Sequence, residues 1–201
     1  MNVRLTDKQK IKVSGSRSIY EIMQRILLSE SKVDQEKEHL WLISLATNNL
    51  ILNIELVSLG SVNATIARPM NVFRVAVMKG AVKAILCHNH PSGNVMPSEE
   101  DKDMTDRLYQ VGRILNIEVI DHLIISTKSY LSFADTGLLA KIAESKEWVP
   151  AYEIEEEIRK EEAQIRALAV EEARLEEKLK GAEQLLEANK KAAKDGEKEK
   201  E

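Results

Sequence analysis

The chain reads as an α/β protein of the α+β type, a mixed β-sheet with flanking helices followed by one long C-terminal helix. Three features of the sequence predict this. Short apolar runs suited to strands occur between residues 38 and 58 and again between 84 and 133. Segments with apolar residues at helical spacing separate them, so strands and helices mix as α/β/α rather than in strict βαβ repetition. From Ala151 onward the composition shifts to charged residues around a regular apolar stripe.

The elements follow in order. Residues 1–17 read as a polar tail, with Ile11-Lys12-Val13 alternating like a short edge strand. Ser18-Ile19-Tyr20-Glu21 matches a capping box, and Ile19, Ile22, Met23, Ile26 and Leu27 predict a helix to about Ser29. Polar residues 30–37 form a connection. His39 to Leu45 and Leu50 to Val57 read as a hairpin around Asn48-Asn49. Asn71 to Gly80 reads as a helix with Gly80 at its C-terminal cap. Ala84-Ile85-Leu86-Cys87 is a buried strand running into His88. A helix from Ser98 to about Leu115 follows, then strands at Ile117–Ile120, Leu123–Ile125 and Tyr130–Phe133. The domain is expected over 18–145, an amphipathic helix over 151–189, and a disordered charged tail over 190–201.

Ile154, Ile158, Ile165, Leu168, Leu175, Leu179, Ala182 and Leu186 fall on the a and d positions of one heptad register, which Glu161 and Glu172 interrupt. A lone helix cannot bury such a stripe, so it needs a partner. A coiled coil with another chain, most simply a second copy, is expected; the alternative is a dock on its own domain.

Composition narrows the function classes. Hydrophobic residues make up 43% of the 201 residues, enough for a core, while aromatics are only 4%. The net charge of −4 and pI near 5.7 do not support direct nucleic-acid binding, although they leave room for a local basic patch. Cys87 is the single cysteine, so no intrachain disulfide can form, and it reads as a buried small apolar residue. No apolar run approaches the ~18 residues of a membrane span. Met1 to Lys8 lacks the apolar core of a signal peptide. A soluble, cytoplasmic protein is the expectation.

The motif that carries chemistry is His88-Asn89-His90-Pro91 followed by Ser98-Glu99-Glu100-Asp101. On a strand, His88 and His90 project from one face and Asn89 from the other. Pro91 to Asn94 break the strand, and the helix opening at Ser98 can aim Asp101 back at both rings. Two neutral nitrogens and one carboxylate oxygen suit Zn²⁺, and three protein ligands leave a position for water, the catalytic pattern. Ser98-x-x-Asp101 also suits a helix N-cap, which would account for that half of the motif but not for the histidines. The string His-Asn-His is not an HNH nuclease, whose named residues lie far apart. The His-x-Glu and Pro-Cys-x-x-Cys of zinc deaminases are absent.

The run from His88 to Asp101 reproduces the His-x-His, seven residues, Ser-x-x-Asp spacing of JAMM (JAB/MPN) metalloproteases without a gap. HNHPSGNVMPSEED resembles the RadC branch of that superfamily. So do Ala67-Arg68-Pro69…Val72-Phe73, Asp121-His122-Leu123-Ile124-Ile125 and Ser132 to Leu139. The resemblance covers roughly 18–140, to a short form without the N-terminal helix-hairpin-helix-like region of longer RadC proteins. It implies a JAB/MPN-like fold and a zinc-dependent hydrolase that cleaves an amide, peptide or isopeptide bond in an unidentified peptide or protein substrate.

The resemblance also implies a glutamate general base on the upstream strand. Glu38 stands in the matching place, ahead of the competitors Glu36 and Glu55. A metal lowers the pKa of its water toward ~7, and the base takes the proton and passes it to the leaving amine. Ser98 is implied to hydrogen-bond the metal-bound oxygen, a role that competes with capping. Asn89 departs from the small hydroxyl residue of deubiquitinating members but fits the RadC branch, which weakens any transfer of ubiquitin specificity. Asn71 stands where many RadC chains carry a glutamate. His122 is expected to pack or to support the ligands, and His39 to be structural. The rival reading is a RadC-like, DNA-associated accessory or scaffolding protein whose metal site is structural or vestigial.

Overall fold

The structure is a computed structural model that describes residues 2–3, 11–60, 67–145 and 147–198. The chain divides into two compact units, residues 1–148 and 149–201. Residue order in the first unit is β1 (Asn2–Val3), α1 (Ser16–Ser29), α2 (Lys32–Gln35), β2 (Glu38–Leu45), β3 (Ile51–Gly60), α3 (Pro69–Met78), β4 (Lys83–Asn89), α4 (Glu99–Ile114), β5 (Glu118–Ile125), β6 (Tyr130–Ser132) and α5 (Leu138–Ala143). The second unit is α6 (Ala151–Lys198).

The strands form one six-stranded mixed sheet in the order β1-β3-β2-β4-β5-β6. β2 pairs antiparallel with β3 and β4, and β4 pairs parallel with β5 through the α4 crossover. Period-2 alternation divides the core. Trp41, Ile43, Ile85, Cys87 and Leu123 pack against Ile19, Met23 and Leu27 of α1. Leu40, Leu42, Ala84 and Leu86 pack on the other face against α3 and α4 through Val72, Phe73, Met104 and Leu108. Cys87 is fully buried on the α1 side, and burial raises its thiol well above the usual range.

Several elements differ from the sequence expectation. The strands expected at 117–120 and 123–125 are one strand, β5, with a register shift opposite Ala84/Ile85. That irregularity breaks the alternation, so Val119 and His122 both face α4 despite their odd spacing. Helix α1 starts at Ser16 with Gly15 as its cap, so Ser18 is the third helical residue and its hydroxyl reaches back to the Gly15 carbonyl at 2.7 Å. The polar connection contains the helical turn α2, capped by Ser31. Parts of the expected polar tail join the sheet: Val13 is buried in the core, Lys12 bridges to Leu50, and Asn2–Val3 pairs with β3.

In the second unit, α6 continues to Lys198, nine residues beyond the expected end; its Ala, Lys and Glu residues are good helix formers. Residues 199–201 of the expected tail lie outside the described residues. Among the described residues, no helix is long and apolar enough to cross a membrane.

Candidate metal centre

The centre forms where β4 ends and α4 begins. His88 is the last residue but one of β4 and shares the α4 face with Leu86. His90 leaves the strand next to β5, its backbone amide donating to the Ile125 carbonyl at 3.0 Å. Gly93 makes the returning turn at φ 83°, a conformation that favours glycine. Ser98 then caps α4. Its hydroxyl accepts from the Asp101 amide at 3.1 Å and donates to Asp101 Oδ2 at 2.7 Å, while its own amide donates to the same oxygen at 2.8 Å. The cap therefore fixes the carboxylate, and Asp101 Oδ1 faces His88 Nε2 at 3.0 Å. His90 Nε2 lies 2.9 Å from His88 Nε2 and 3.5 Å from Asp101 Oδ2.

The proton inventory of this cluster is constrained. His90 Nδ1 is 2.7 Å from the Asn94 carbonyl, which can only accept, so Nδ1 carries the proton and Nε2 of the neutral ring presents a lone pair. The Thr105 hydroxyl donates its one proton to the Asp101 carbonyl. His122 Nδ1, 2.6 Å from the same hydroxyl, must therefore donate to it, which leaves His122 Nε2 as an acceptor. That atom is 2.8 Å from His88 Nδ1, so His88 donates there and its Nε2 is also a bare lone pair. Two nitrogen lone pairs and a carboxylate thus converge, and only a cation or a shared proton satisfies them. His88, His90 and Asp101 are the group among the described residues that could hold a metal ion, with ligand atoms all within 4.8 Å of one another.

Electrostatics agree with a site made for positive charge. Burial alone would raise the Asp101 carboxyl, but a proton shared with the His88 and His90 rings, together with the Ser98 hydrogen bond, outweighs it and holds the group far below the usual range. The Asp101 hydrogen bond raises the His90 imidazole above its ordinary value against the opposing effect of burial, and the Glu38 charge adds to the rise. His122 is fully buried, and desolvation lowers it well below the ordinary imidazole value, so it is neutral.

Glu38 opens β2. Leu40 pairs with His88, and Glu38 stands two residues earlier on the same face, near enough for its charge to act on His90. Glu55 sits on β3 opposite Leu42, outside the group that could hold a metal. Glu36 caps the end of α2. His39 stacks on Trp41, ring centroids 4.7 Å apart, on the side away from Glu38. Asn71 lies in the first turn of α3 and is exposed.

The sequence reading missed what Asn89 does. Its amide accepts from the His39 N–H at 2.7 Å and donates to the Lys37 carbonyl at 3.0 Å. It clamps the peptide groups on both sides of Glu38 from the opposite face of the sheet. Thr105 was missed as well, since nothing local marks a helix threonine as a partner for a histidine on the next strand.

Comparison with known proteins now bears on this arrangement. Residues 13–138 match the family described as the RadC-like JAB domain. The chain belongs to that family. Similar curated proteins are UPF0758 proteins. That of Chlorobaculum tepidum is 39% identical over 129 residues, 64% of this chain and 56% of the relative. That of Clostridium acetobutylicum is 43% identical over 113 residues, 56% and 49% of the two chains. That of Methanococcoides burtonii is 39% identical over 135 residues, 67% and 57%. The chain spans about half the length of these relatives, and their names state no activity. Family membership carries the JAMM/MPN superfamily with it, and the site lies inside the matched residues.

Proposed function

We propose that this RadC-like JAB domain is a zinc-dependent hydrolase that cleaves an amide, peptide or isopeptide bond with a metal-activated water. The observation that carries the reading is the convergence of the bare Nε2 atoms of His88 and His90 on the Asp101 carboxylate. Two imidazoles and one carboxylate are a catalytic zinc set with a coordination position to spare. A bound zinc ion would polarise the scissile carbonyl and bring the pKa of water toward ~7.

The chain's own residues supply the rest. Glu38, at the head of β2 two residues before the partner of His88, takes a proton from water and returns it to the leaving amine. Ser98 has its hydroxyl proton committed to Asp101 here, and its work is to hold that carboxylate. A second role toward the reacting oxygen requires its O–H to swing away from Oδ2. No residue named here selects a substrate, and the substrate is a peptide or protein of unassigned sequence.

The test pairs metal content with turnover. Protein purified without added metal should carry about one zinc, and His88→Ala or His90→Ala should lose it. Glu38→Gln should keep the metal and lose turnover by roughly 10²–10⁴-fold in a peptide and isopeptide library screen. Metal retained by both histidine variants, or an unchanged rate in Glu38→Gln, defeats the assignment. A salt-sensitive shift of duplex or branched DNA, with no cleaved peptide, would instead support the DNA-associated accessory reading.

A further inference from the structure

We propose that His122 is a positioning residue for the metal centre, holding His88 in the one tautomer that offers Nε2 to a cation. The proposal rests on the metal reading and deepens it. The chain of contacts is closed on itself: Thr105 donates to the Asp101 backbone, His122 donates to Thr105, and His88 donates to His122. Helix α4 thus provides a ligand, Asp101, and one turn later the anchor that orients the partner of another ligand. All three supporting groups are buried, with Thr105 and His122 fully so, and Phe133 packs on the His122 ring at 4.7 Å between centroids.

Histidine ligands commonly give their outer N–H to a carboxylate or carbonyl. A neutral imidazole in that place adds no charge. Zinc with Asp101 and Glu38 would then sum to zero, where a carboxylate partner would make the centre anionic and weaken the metal as an electrophile.

The experiment is long-range ¹H–¹⁵N correlation on ¹⁵N-labelled full chain, metal-free and zinc-loaded, with zinc affinity by chelator competition. His122 should carry its proton on Nδ1 in both states, and His88 on Nδ1 when loaded. His122→Leu should weaken zinc about 10–100-fold. His122→Gln, whose amide both accepts and donates, should recover most of that loss, and Thr105→Val should fall between. A His88 proton on Nε2, or parental affinity in His122→Leu, overturns the proposal. A parent that binds no zinc fails the metal reading instead, and the His122 proton on Nδ1 in the metal-free protein still tests the relay.

A separate observation concerns α6. Its seam residues Ile158, Ile165, Leu168, Leu175, Leu179 and Leu186 are 51–67% exposed. The e and g positions beside the seam hold Glu155, Glu157, Glu162, Glu171, Glu176 and Glu183 against Lys178, and the basic residues sit at b and c. In a parallel pair of copies Glu157 would face Glu162 and Glu171 would face Glu176; an antiparallel pair also sets acid against acid. We infer that the seam takes a helix of another protein, with an apolar stripe flanked by Lys or Arg, in preference to the second copy expected from periodicity alone.

Sedimentation of the full chain at low salt should show a monomer. A synthetic peptide carrying the 154–186 seam with lysine at its e and g positions should bind, and bind less tightly as salt rises. The same peptide with the native glutamates should not. A low-salt dimer, equal binding of both peptides, or binding of neither overturns the inference.

Discussion

The sheet domain buries a connected cluster of polar side chains, whereas α6 exposes a periodic apolar stripe. His88, Asn89, Asp101, Thr105 and His122 are each at most 6% exposed, and every one has a partner. From Ile158 onward the α6 seam leucines and isoleucines are more than half exposed. Most residues obey the ordinary sorting of polar from apolar, so departures in either direction carry the information. The first departure builds a site whose contacts are made within the fold. The second is a periodic stripe along one helix.

The comparison breaks most visibly at Asn89. Asn89→Ala leaves the His39 N–H without its partner, at a cost of about 1–3 kcal/mol, while the Lys37 carbonyl keeps the His39 Nδ1 at 3.0 Å. The head of β2 should loosen while His88, His90 and Asp101 stay in place. Thermal unfolding should move down, zinc content should hold, and the rate should fall through kcat rather than KM, because Glu38 loses its fixed position. A kcat equal to the parent's would show that Glu38 is held by other contacts or is not the base.

This division also explains what could be read in advance. His88, His90, Ser98 and Asp101 lie within one strand–loop–helix turn, so spacing alone grouped them, and the structure does bring the three metal-binding candidates together. Their supports come from farther along the chain: His122 is 34 residues from His88, and His39 is 50 from Asn89. Register between strands decides such pairs, and a single shift in β5 set the face of His122. The seam of α6 was legible because a heptad is local. Its flanking charges were legible too, and they bear on the choice of partner that periodicity leaves open.

Acidity should separate the two regions. In the metal-free protein His90 has a raised proton affinity, chiefly from its bond with Asp101. A metal must displace that proton, so affinity is greatest above the His90 pKa and falls as pH drops through it. With the His90 proton competing, zinc affinity should drop roughly 10–100-fold from pH 7 to pH 5. Chelator competition across that range reads it. α6 carries no histidine, so the same change removes no such ligand there. Zinc affinity flat from pH 7 to pH 5 would mean that histidines are not the ligands.

The smallest effect is a pair of identical substitutions with opposite signs. A Cβ on Gly112, in α4, would lie 2.6 Å from the Ile117 carbonyl oxygen and 3.0 Å from Val119 Cγ2. That backbone is tied by the Ile117 N–H to the Gly112 carbonyl at 2.9 Å and cannot easily retreat. Gly112→Ala should therefore cost about 1–3 kcal/mol, as overpacking does. Gly181, in α6, has nothing within 4 Å of the same added carbon, and its heptad position is c, away from the seam. There the substitution only removes backbone freedom from the unfolded chain, so Gly181→Ala should stabilise the helix by up to about 1 kcal/mol. Tertiary packing governs the first site, whereas intrinsic propensity governs a helix whose apolar stripe lies open to solvent. Calorimetric unfolding for Gly112→Ala and the temperature dependence of ellipticity at ~222 nm for Gly181→Ala, a signal read from helical backbone, should move in opposite directions. A loss of helicity in Gly181→Ala would mean that something already packs against residue 181, and α6 would then belong with the sheet domain in this comparison.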